Sequence, residues 1–361
     1  MVKSNNSSIT AILPDMKNTD KEKPASYQKK RLPFHIIGLV CGAVFLFFLH
    51  TYIVKIKVSE AKHEAEMYAP DCESEITLIR EKDRELVHPL VMVNFESESA
   101  SLVPLKVNLQ NIISQSNKRG VVTNTSVYLR ELNSGKWMSI NGDDVYRPGS
   151  LMKVAIMVYF LRKEQEHPGT LNTVLQFNMP RYHFPRQAYE GDSIIPGNHY
   201  KISELIRYMI VESDNYATHV LSQQVDALQL HKLFTDLQMP PDELNDTHYM
   251  ISVKEFSKLL RVLYSATYVN EKLSEIGMKW LTEAKFKDGI SKKLPSEIVV
   301  AHKFGERGVE NKLDFSESGV VYLKNEPYLL TVMTSGHDIR EQAELISELS
   351  NEVYKSMKEK E

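Results

Sequence analysis

The chain has 361 residues, long enough for one large domain or two medium-sized ones. Its 44 basic residues nearly balance its 47 acidic residues, so the charge gives no indication of a nucleic-acid partner. The only two cysteines, Cys41 and Cys72, exclude a disulfide framework and a four-cysteine zinc site, although a bridge between the Cys72 thiols of two chains stays open.

Residues 32–54 form an apolar run without Asp, Glu, Lys or Arg, and its length fits one helical membrane span. A cleaved signal peptide is the main alternative, but the run is longer than the usual apolar core of such a peptide, and no small-x-small cleavage site follows it. Basic residues crowd the segment before the run, so the positive-inside rule keeps that segment in the cytoplasm. The sequence therefore predicts a single-pass protein of the cell membrane, with everything beyond residue 54 outside the cytoplasm.

The flanking segments differ in composition. Residues 1–31 are polar and poor in aromatic residues, which predicts a disordered cytoplasmic tail. Residues 55–104 mix charged stretches with short apolar runs and are interpreted as an extracytoplasmic stem, part helical and part extended. The folded domain is expected over residues 105–361.

Within this domain, the apolar periodicity predicts a succession of helices and strands. A helix over residues 107–118 precedes a β-hairpin over 125–141, and a buried helix begins near Ser150. Further helices are predicted over residues 202–224, interrupted near Ser213, and over 253–264, followed by strands at 298–304, 319–323 and 328–334 and a closing helix at 341–358. This order predicts an α+β fold in which one antiparallel sheet gathers both ends of the domain and the middle is helical.

Ser150 and Lys153 form an S-x-x-K motif at the start of the predicted buried helix. Residues three apart share a helix face, so Lys153 lies within reach of the Ser150 hydroxyl. A buried lysine that loses its proton near neutral pH can activate a serine nucleophile. The motif is short, and on its own it also occurs by chance.

Ser213, Asp214 and Asn215 follow in a break of the helical sequence. The serine hydroxyl can relay a proton, the asparagine amide can contact both Lys153 and a substrate, and Asp214 can brace the loop. These three residue types also favour helix caps, which is the simpler alternative.

The third motif, His302-Lys303-Phe304-Gly305, lies on a predicted strand. A strand lysine that faces a cleft can bind a substrate carboxylate, and the backbone N–H of Glu306, beyond Gly305, can donate to an oxyanion. A surface lysine on an edge strand is the alternative for this motif alone.

The three motifs occur in the order and context typical of one family, and over about residues 105–356 the chain resembles the class A β-lactamases and their penicillin-binding relatives. The resemblance implies a β-lactamase/transpeptidase-like fold with an all-helical subdomain beside the sheet, without metal or other cofactor. It implies that Ser150 is the acylated nucleophile, Lys153 its base and Ser213 the proton relay. Asn215, Lys303, Gly305 and Glu306 would bind the substrate, with the Ser150 and Glu306 amides as the oxyanion hole.

Two positions depart from the family pattern. Phe304 stands where the family usually has a Ser or Thr whose hydroxyl binds a substrate carboxylate. The E-x-x-L-N motif has its nearest counterpart at residues 241–245, where Pro241 replaces the hydrolytic glutamate and Asp242 and Glu243 are displaced alternatives. The sequence leaves three functions open: a β-lactamase-like hydrolase, a penicillin-binding-type D-Ala-D-Ala peptidase or transpeptidase, and a non-catalytic cell-envelope binding domain.

The remaining candidates have a simpler structural interpretation. None of the twelve histidines has the spacing of a metal site, and His302 is more readily a buried structural residue than a site residue. The loop over residues 179–192 carries Tyr182, His183 and Tyr189, which can stack on a ligand or simply pack. Arg307 can assist carboxylate binding or form a surface ion pair.

Overall fold

The computed structural model describes residues 52, 75–81, 86–180, 184, 187–189, 191–241, 249–309 and 312–360. The predicted tail, residues 55–74 of the predicted stem and nearly all of the predicted span at 32–54 lie outside these ranges. Within them, none of the helices combines the length and the apolar character that crossing a membrane requires.

A five-stranded antiparallel sheet forms the centre of the domain, in the order β4-β3-β11-β10-β9. The strands are β3 (Val122–Glu131), β4 (Trp137–Ile140), β9 (Val299–Val309), β10 (Lys312–Tyr322) and β11 (Tyr328–Gly336). The predicted hairpin at 125–141 corresponds to β3 and β4, and the predicted antiparallel sheet that gathers both ends of the domain is confirmed.

The strand β10 begins seven residues before the predicted strand at 319–323. Its first half carries Ser316, Glu317 and Ser318, which are fully buried, so the apolar alternation that marks a strand is missing there. Their polar atoms have internal partners: Glu317 pairs with His302, and Ser318 Oγ lies 2.6 Å from Thr331 Oγ1. Buried hydrogen bonding replaces the hydrophobic pattern in this strand.

Two layers of helices cover the sheet. The first and last helices of the domain, α1 (Val103–Lys118) and α8 (Ile339–Lys358), pack with one face of the sheet in a shared hydrophobic cluster. The other face contributes to a second cluster, shared with the helical part of the domain. That part comprises α2 (Lys153–Glu166), α3 (Ile202–Arg207), α4 (Asn215–Ser222), α5 (Ala227–Asp236), α6 (Val253–Tyr264) and α7 (Glu271–Thr282).

Four short strands complete the domain: β5 (Val145–Tyr146) pairs with β8 (Ile251–Ser252), and β6 (Val174–Gln176) pairs with β7 (His199–Lys201). The helices α2 to α7 lie in the sequence between β4 and β9, so the strands before and after them form one sheet, as the α+β prediction requires. β5 lies shortly before α2 in the sequence, and β8 directly precedes α6, so this strand pair joins the chain segments that lead into the two helices.

An N-terminal hairpin, β1 (Ile76–Arg80) and β2 (Leu90–Phe95), packs on this domain. Trp137 Nε1 donates to the Phe95 carbonyl at 2.8 Å, and Arg261 Nη2 donates to the Val93 carbonyl at 2.9 Å. A buried ion pair of 3.2 Å joins Arg162 to Glu81. The sequence predicts these residues as part of the stem, but they pack on the folded domain, since their partners Trp137, Arg162 and Arg261 lie on β4, α2 and α6.

We expect a chain beginning at residue 97, after the hairpin, to be less stable than one beginning at residue 75. Removing the hairpin uncovers the domain surface against which Ile79, Val91 and Met92 are buried, and burying one such side chain contributes about 1.5–3 kcal/mol before the entropy of ordering the hairpin is subtracted. Thermal unfolding followed by circular dichroism compares the two chains. Equal melting temperatures would show that the hairpin does not contribute to the stability of the domain.

Candidate active site

Ser150 lies in a 3₁₀ turn, Gly149–Met152, that continues directly into the buried helix α2. The helix was predicted to begin near Ser150 and begins at Lys153. Gly149 has a φ of +51°, and a Cβ at this position would lie 2.3 Å from the Glu306 carbonyl oxygen. The glycine is therefore required twice, for its backbone conformation and for the close approach of β9.

Lys153 is 4% exposed, and its ammonium nitrogen has three oxygen neighbours. The Nζ atom donates to the Ser213 carbonyl at 2.6 Å, to Asn215 Oδ1 at 2.8 Å and to Ser213 Oγ at 3.3 Å. Burial lowers the pKa of Lys153 to about 7, against the opposing charges of Asp214 and Glu306. A lysine with a pKa in this range has a neutral form that is populated near neutral pH and can accept a proton.

Ser213 stands at the end of a π-helical turn, Tyr208–Glu212, that continues α3, and its φ of +58° reverses the chain. Asp214 then caps α4 through the Tyr216 amide. Its carboxylate also accepts hydrogen bonds from Ser193 Oγ and the Ile194 amide, both at 3.0 Å. The predicted bracing role of Asp214 fits these contacts, which hold Ser213 and Asn215 towards Lys153.

Lys303 reaches the same serine from the sheet side. Its Nζ donates to Ser213 Oγ at 3.0 Å and to the Phe304 carbonyl at 2.9 Å. The sequence predicts a strand lysine that faces a cleft, whereas the structure encloses Lys303, which is only 1% exposed. Burial, together with the positive charge of Lys153, holds the pKa of Lys303 well below its usual range, although Glu317 and Glu306 oppose this shift.

The strand β9 approaches the serine turn closely at Gly305. A Cβ on Gly305 would lie 2.1 Å from the Pro148 carbonyl oxygen and 2.6 Å from the Leu151 amide nitrogen. This approach brings the backbone of Glu306 beside the Gly149–Ser150 turn, where two amides can point at one oxyanion. The Glu306 carboxylate accepts a hydrogen bond from the Ala188 amide at 2.7 Å.

We expect Gly305→Ala to lower the rate of serine acylation by roughly 10²–10³-fold, the typical effect of losing one oxyanion-hole donor. The methyl group forces β9 away from the turn and so moves the Glu306 amide. The second-order rate of labelling by a fluorescent penicillin measures the effect. Gly308→Ala is the matched control, since the added Cβ would meet only the end of the Leu313 side chain, at 3.1 Å; an equal loss in both variants would contradict the assignment.

The other candidates are placed as follows. His302 is buried, with Nδ1 2.7 Å from Glu317 Oε1, in line with the structural interpretation. Tyr189 packs edge-on against Phe286, with ring centroids 4.6 Å apart, and it is thus part of a packed aromatic cluster. Arg307 is exposed, while Tyr182 and His183 lie outside the described residues.

Residue 241, at which the sequence comparison predicts the family's hydrolytic glutamate to be replaced, lies at the edge of a described segment. Pro241 is exposed, and Asp242 and Glu243 lie outside the described residues. Sequence reasoning missed Gln187, whose Nε2 donates to the Ser213 carbonyl at 3.3 Å, and Glu317, the partner of His302. No motif marks either residue.

Comparisons with known proteins agree with this geometry. Residues 104–357 match the model of the Beta-lactamase enzyme family. The structure of PBP-A is 21% identical and has a TM-score of 0.61, covering 72% of this chain and 97% of its own. A β-lactamase from Chitinophaga pinensis is 17% identical with a TM-score of 0.60, covering 70% of this chain and 99% of its own. One from Xanthomonas campestris is 15% identical with a TM-score of 0.58, covering 69% and 97%.

At these identities the solved structures show the fold. No curated protein matches the chain by sequence.

Proposed function

The chain belongs to the beta-lactamase enzyme family and is a β-lactamase-like serine hydrolase, and we propose that Ser150 is its nucleophile, acylated by β-lactams or related cell-wall amides. The observation that carries the proposal is Lys153, a buried lysine with a pKa of about 7 that follows Ser150 by three residues and is bound to Ser213 and Asn215. A variant of PBP-A is known as an acyl-enzyme complex with penicillin G, which supports β-lactams as probes.

In the proposed reaction, neutral Lys153 takes the proton of the Ser150 hydroxyl while Oγ attacks the carbonyl carbon of the amide. The amides of Ser150 and Glu306 stabilise the resulting oxyanion. The carbon–nitrogen bond then breaks: Ser213 gives its hydroxyl proton to the leaving nitrogen and takes in exchange the proton that Lys153 removed from Ser150, so that both side chains return to their starting state. Both Lys153 and Lys303 donate to Ser213 Oγ, so the hydroxyl proton of Ser213 is available for this transfer.

Hydrolysis completes the cycle when water attacks the Ser150 ester, which releases the acid and returns a proton to the serine. A penicillin-binding-type peptidase or transpeptidase is the second candidate, favoured by Pro241 in place of the hydrolytic glutamate. Labelling of the wild-type protein by a fluorescent penicillin tests the main proposal. A folded protein that forms no adduct would leave the third alternative, a non-catalytic cell-envelope binding domain.

We also propose that residues 32–54 anchor the enzyme in the cell membrane with its catalytic domain outside the cytoplasm. The support is the uncharged apolar run and the basic residues before it. Protease added to intact spheroplasts is expected to digest the domain and to spare an epitope placed before residue 32. Protection of the domain would contradict this topology.

A further inference from the structure

The ammonium group of Lys303 is enclosed by the protein. Two of its hydrogen bonds go to Ser213 Oγ and to the Phe304 carbonyl, and the centroid of the Phe304 ring lies 4.0 Å from Nζ, within the range of a cation–π contact. Because the residue is 1% exposed, water does not reach it. A substrate anion could bind Lys303 only by displacing one of these groups.

The Phe304 ring is held firmly in this position. Its centroid lies 4.5 Å from that of Phe286, 5.8 Å from Tyr189 and 6.2 Å from Phe315, and the side chain is 5% exposed. Moving the ring away would break the aromatic contacts with all three of these side chains. The ring also offers no hydrogen-bond donor to an anion.

The charges around Ser150 do not favour an anion either. Burial lowers the pKa of both Lys153 and Lys303, so the protein interior around Ser150 disfavours charge rather than concentrating positive charge for an anion. The negative charge of the Glu306 carboxylate acts against burial and raises the pKa of both lysines, and the same charge repels an anion. The Arg147 guanidinium, three residues before Ser150, is paired with Asp314 at 3.5 Å.

From these contacts we propose that Ser150 is acylated by donors without a free carboxylate beside the scissile amide at least as readily as by donors that carry one, and that Phe304 sets this specificity. The donor class is an amide whose neighbouring carboxyl group is itself an ester or an amide, such as an internal bond of a cell-wall peptide. The proposal rests on the proposed function of Ser150. The proposal concerns only which donors are accepted. The acyl transfer to Ser150 proceeds by the steps given under the proposed function.

The test uses the full-length protein in detergent and two probes, benzylpenicillin and its methyl ester, which differ only in the carboxylate. Intact mass spectrometry gives the second-order rate of adduct formation with each probe. We expect the wild-type protein to react with the ester at least as fast as with the acid. An acid that reacts roughly ten- to a hundredfold faster, the effect of one hydrogen bond to a charged group, would overturn the proposal.

Variants identify Phe304 as the determinant. Phe304→Thr introduces a hydroxyl beside Lys303, and we expect it to shift the ratio of acid to ester rates towards the acid by roughly tenfold or more. Phe304→Leu, without a hydroxyl, is the matched substitution and should shift the ratio less. Phe315→Leu removes a ring that belongs to the same cluster but lies farther from Lys303. This variant should leave the ratio of acid to ester rates at the wild-type value.

A shift in Phe315→Leu equal to that in Phe304→Thr would overturn the role of Phe304. If Phe304→Thr fails to fold, the wild-type ratio still decides the preference for the donor. Adducts with neither probe on a folded protein would instead contradict the proposed function, and this specificity with it, so the two failures are distinguishable.

Discussion

Replacement of Ser150 by Ala, or of Lys153 by Ala, is expected to reduce covalent labelling by penicillin by a factor on the order of 10⁴ or more, because nucleophile and base act as one unit. The double variant should be no slower than either single variant. Intact mass after a penicillin pulse measures the adduct, and circular dichroism checks that each variant is folded. Labelling of Ser150→Ala at the wild-type rate would place the nucleophile elsewhere.

A matched control for Lys153 is Lys163, which lies on the same helix α2. Its Nζ contacts the Tyr159 hydroxyl at 3.3 Å, outside the cluster around Ser213. Lys163→Ala should therefore label at the wild-type rate. An equal loss in both lysine variants would indicate a general effect on the helix and would contradict the base assignment.

The pH profile gives a second measure of the same assignment. The neutral form of Lys153 is the base, and burial lowers its pKa to about 7, so the acylation rate should rise as the pH increases through about 7 and then level off. A lysine of ordinary pKa would place this rise more than three pH units higher. A rate that is flat between pH 5 and 9 would contradict a role for Lys153 as the base.

Much of the site could be predicted because its chemistry lies in short motifs. The pair Ser150 and Lys153 needs only one helical turn to meet, and Ser213 and Asn215 follow in a helix break that the polar residues themselves produce. The structure joins Lys153, Ser213 and Asn215 by hydrogen bonds and places Ser150 one turn before Lys153, although their catalytic roles remain predictions. Gly305 lies on β9, directly after the strand lysine, and its close approach to the Pro148 carbonyl is visible only in the folded chain.

The burial of Lys303 could not be predicted from the sequence. It depends on the Phe304 ring and on Phe286 and Tyr189, which come from distant segments and meet only in the folded chain. The strand β10 was predicted too short for a related reason: Glu317 is buried at a position where a polar residue normally marks the solvent face. Its partners, His302 and the Ile290 amide, supply the compensation.

The N-terminal hairpin was missed because its pattern is weak. Only one residue of β1, Ile79, is buried, and the connection to β2 is rich in charge. The hydrogen bonds that attach β2 to the domain come from Arg130, Trp137 and Arg261. A local pattern cannot show side chains that reach a backbone carbonyl from distant elements.

Slow release of the acyl group follows from the arrangement of carboxylates around Ser150. The described acidic residues near the site already accept backbone N–H groups: Asp214 from Ile194, Glu306 from Ala188, and Glu212 from Asp192 at 3.2 Å. Pro241, at the position of the family's hydrolytic glutamate, has no proton-accepting side chain. Each of these carboxylates is thus held by a backbone N–H group, and none occupies the sequence position at which the family carries its hydrolytic base.

A penicillin adduct on Ser150 is accordingly expected to persist, with deacylation slower by roughly 10²–10⁴-fold than with a general base in place. Intact mass followed over time after a penicillin pulse, together with the turnover number, measures the release. Glu243→Gln and Asp242→Asn are the decisive variants, since these two residues are the displaced alternatives for the base. A long-lived adduct that neither substitution changes supports a peptidase-like enzyme that β-lactams trap. Fast turnover that Glu243→Gln abolishes would show instead that Glu243 is the hydrolytic base and that the alignment placing Pro241 there is wrong.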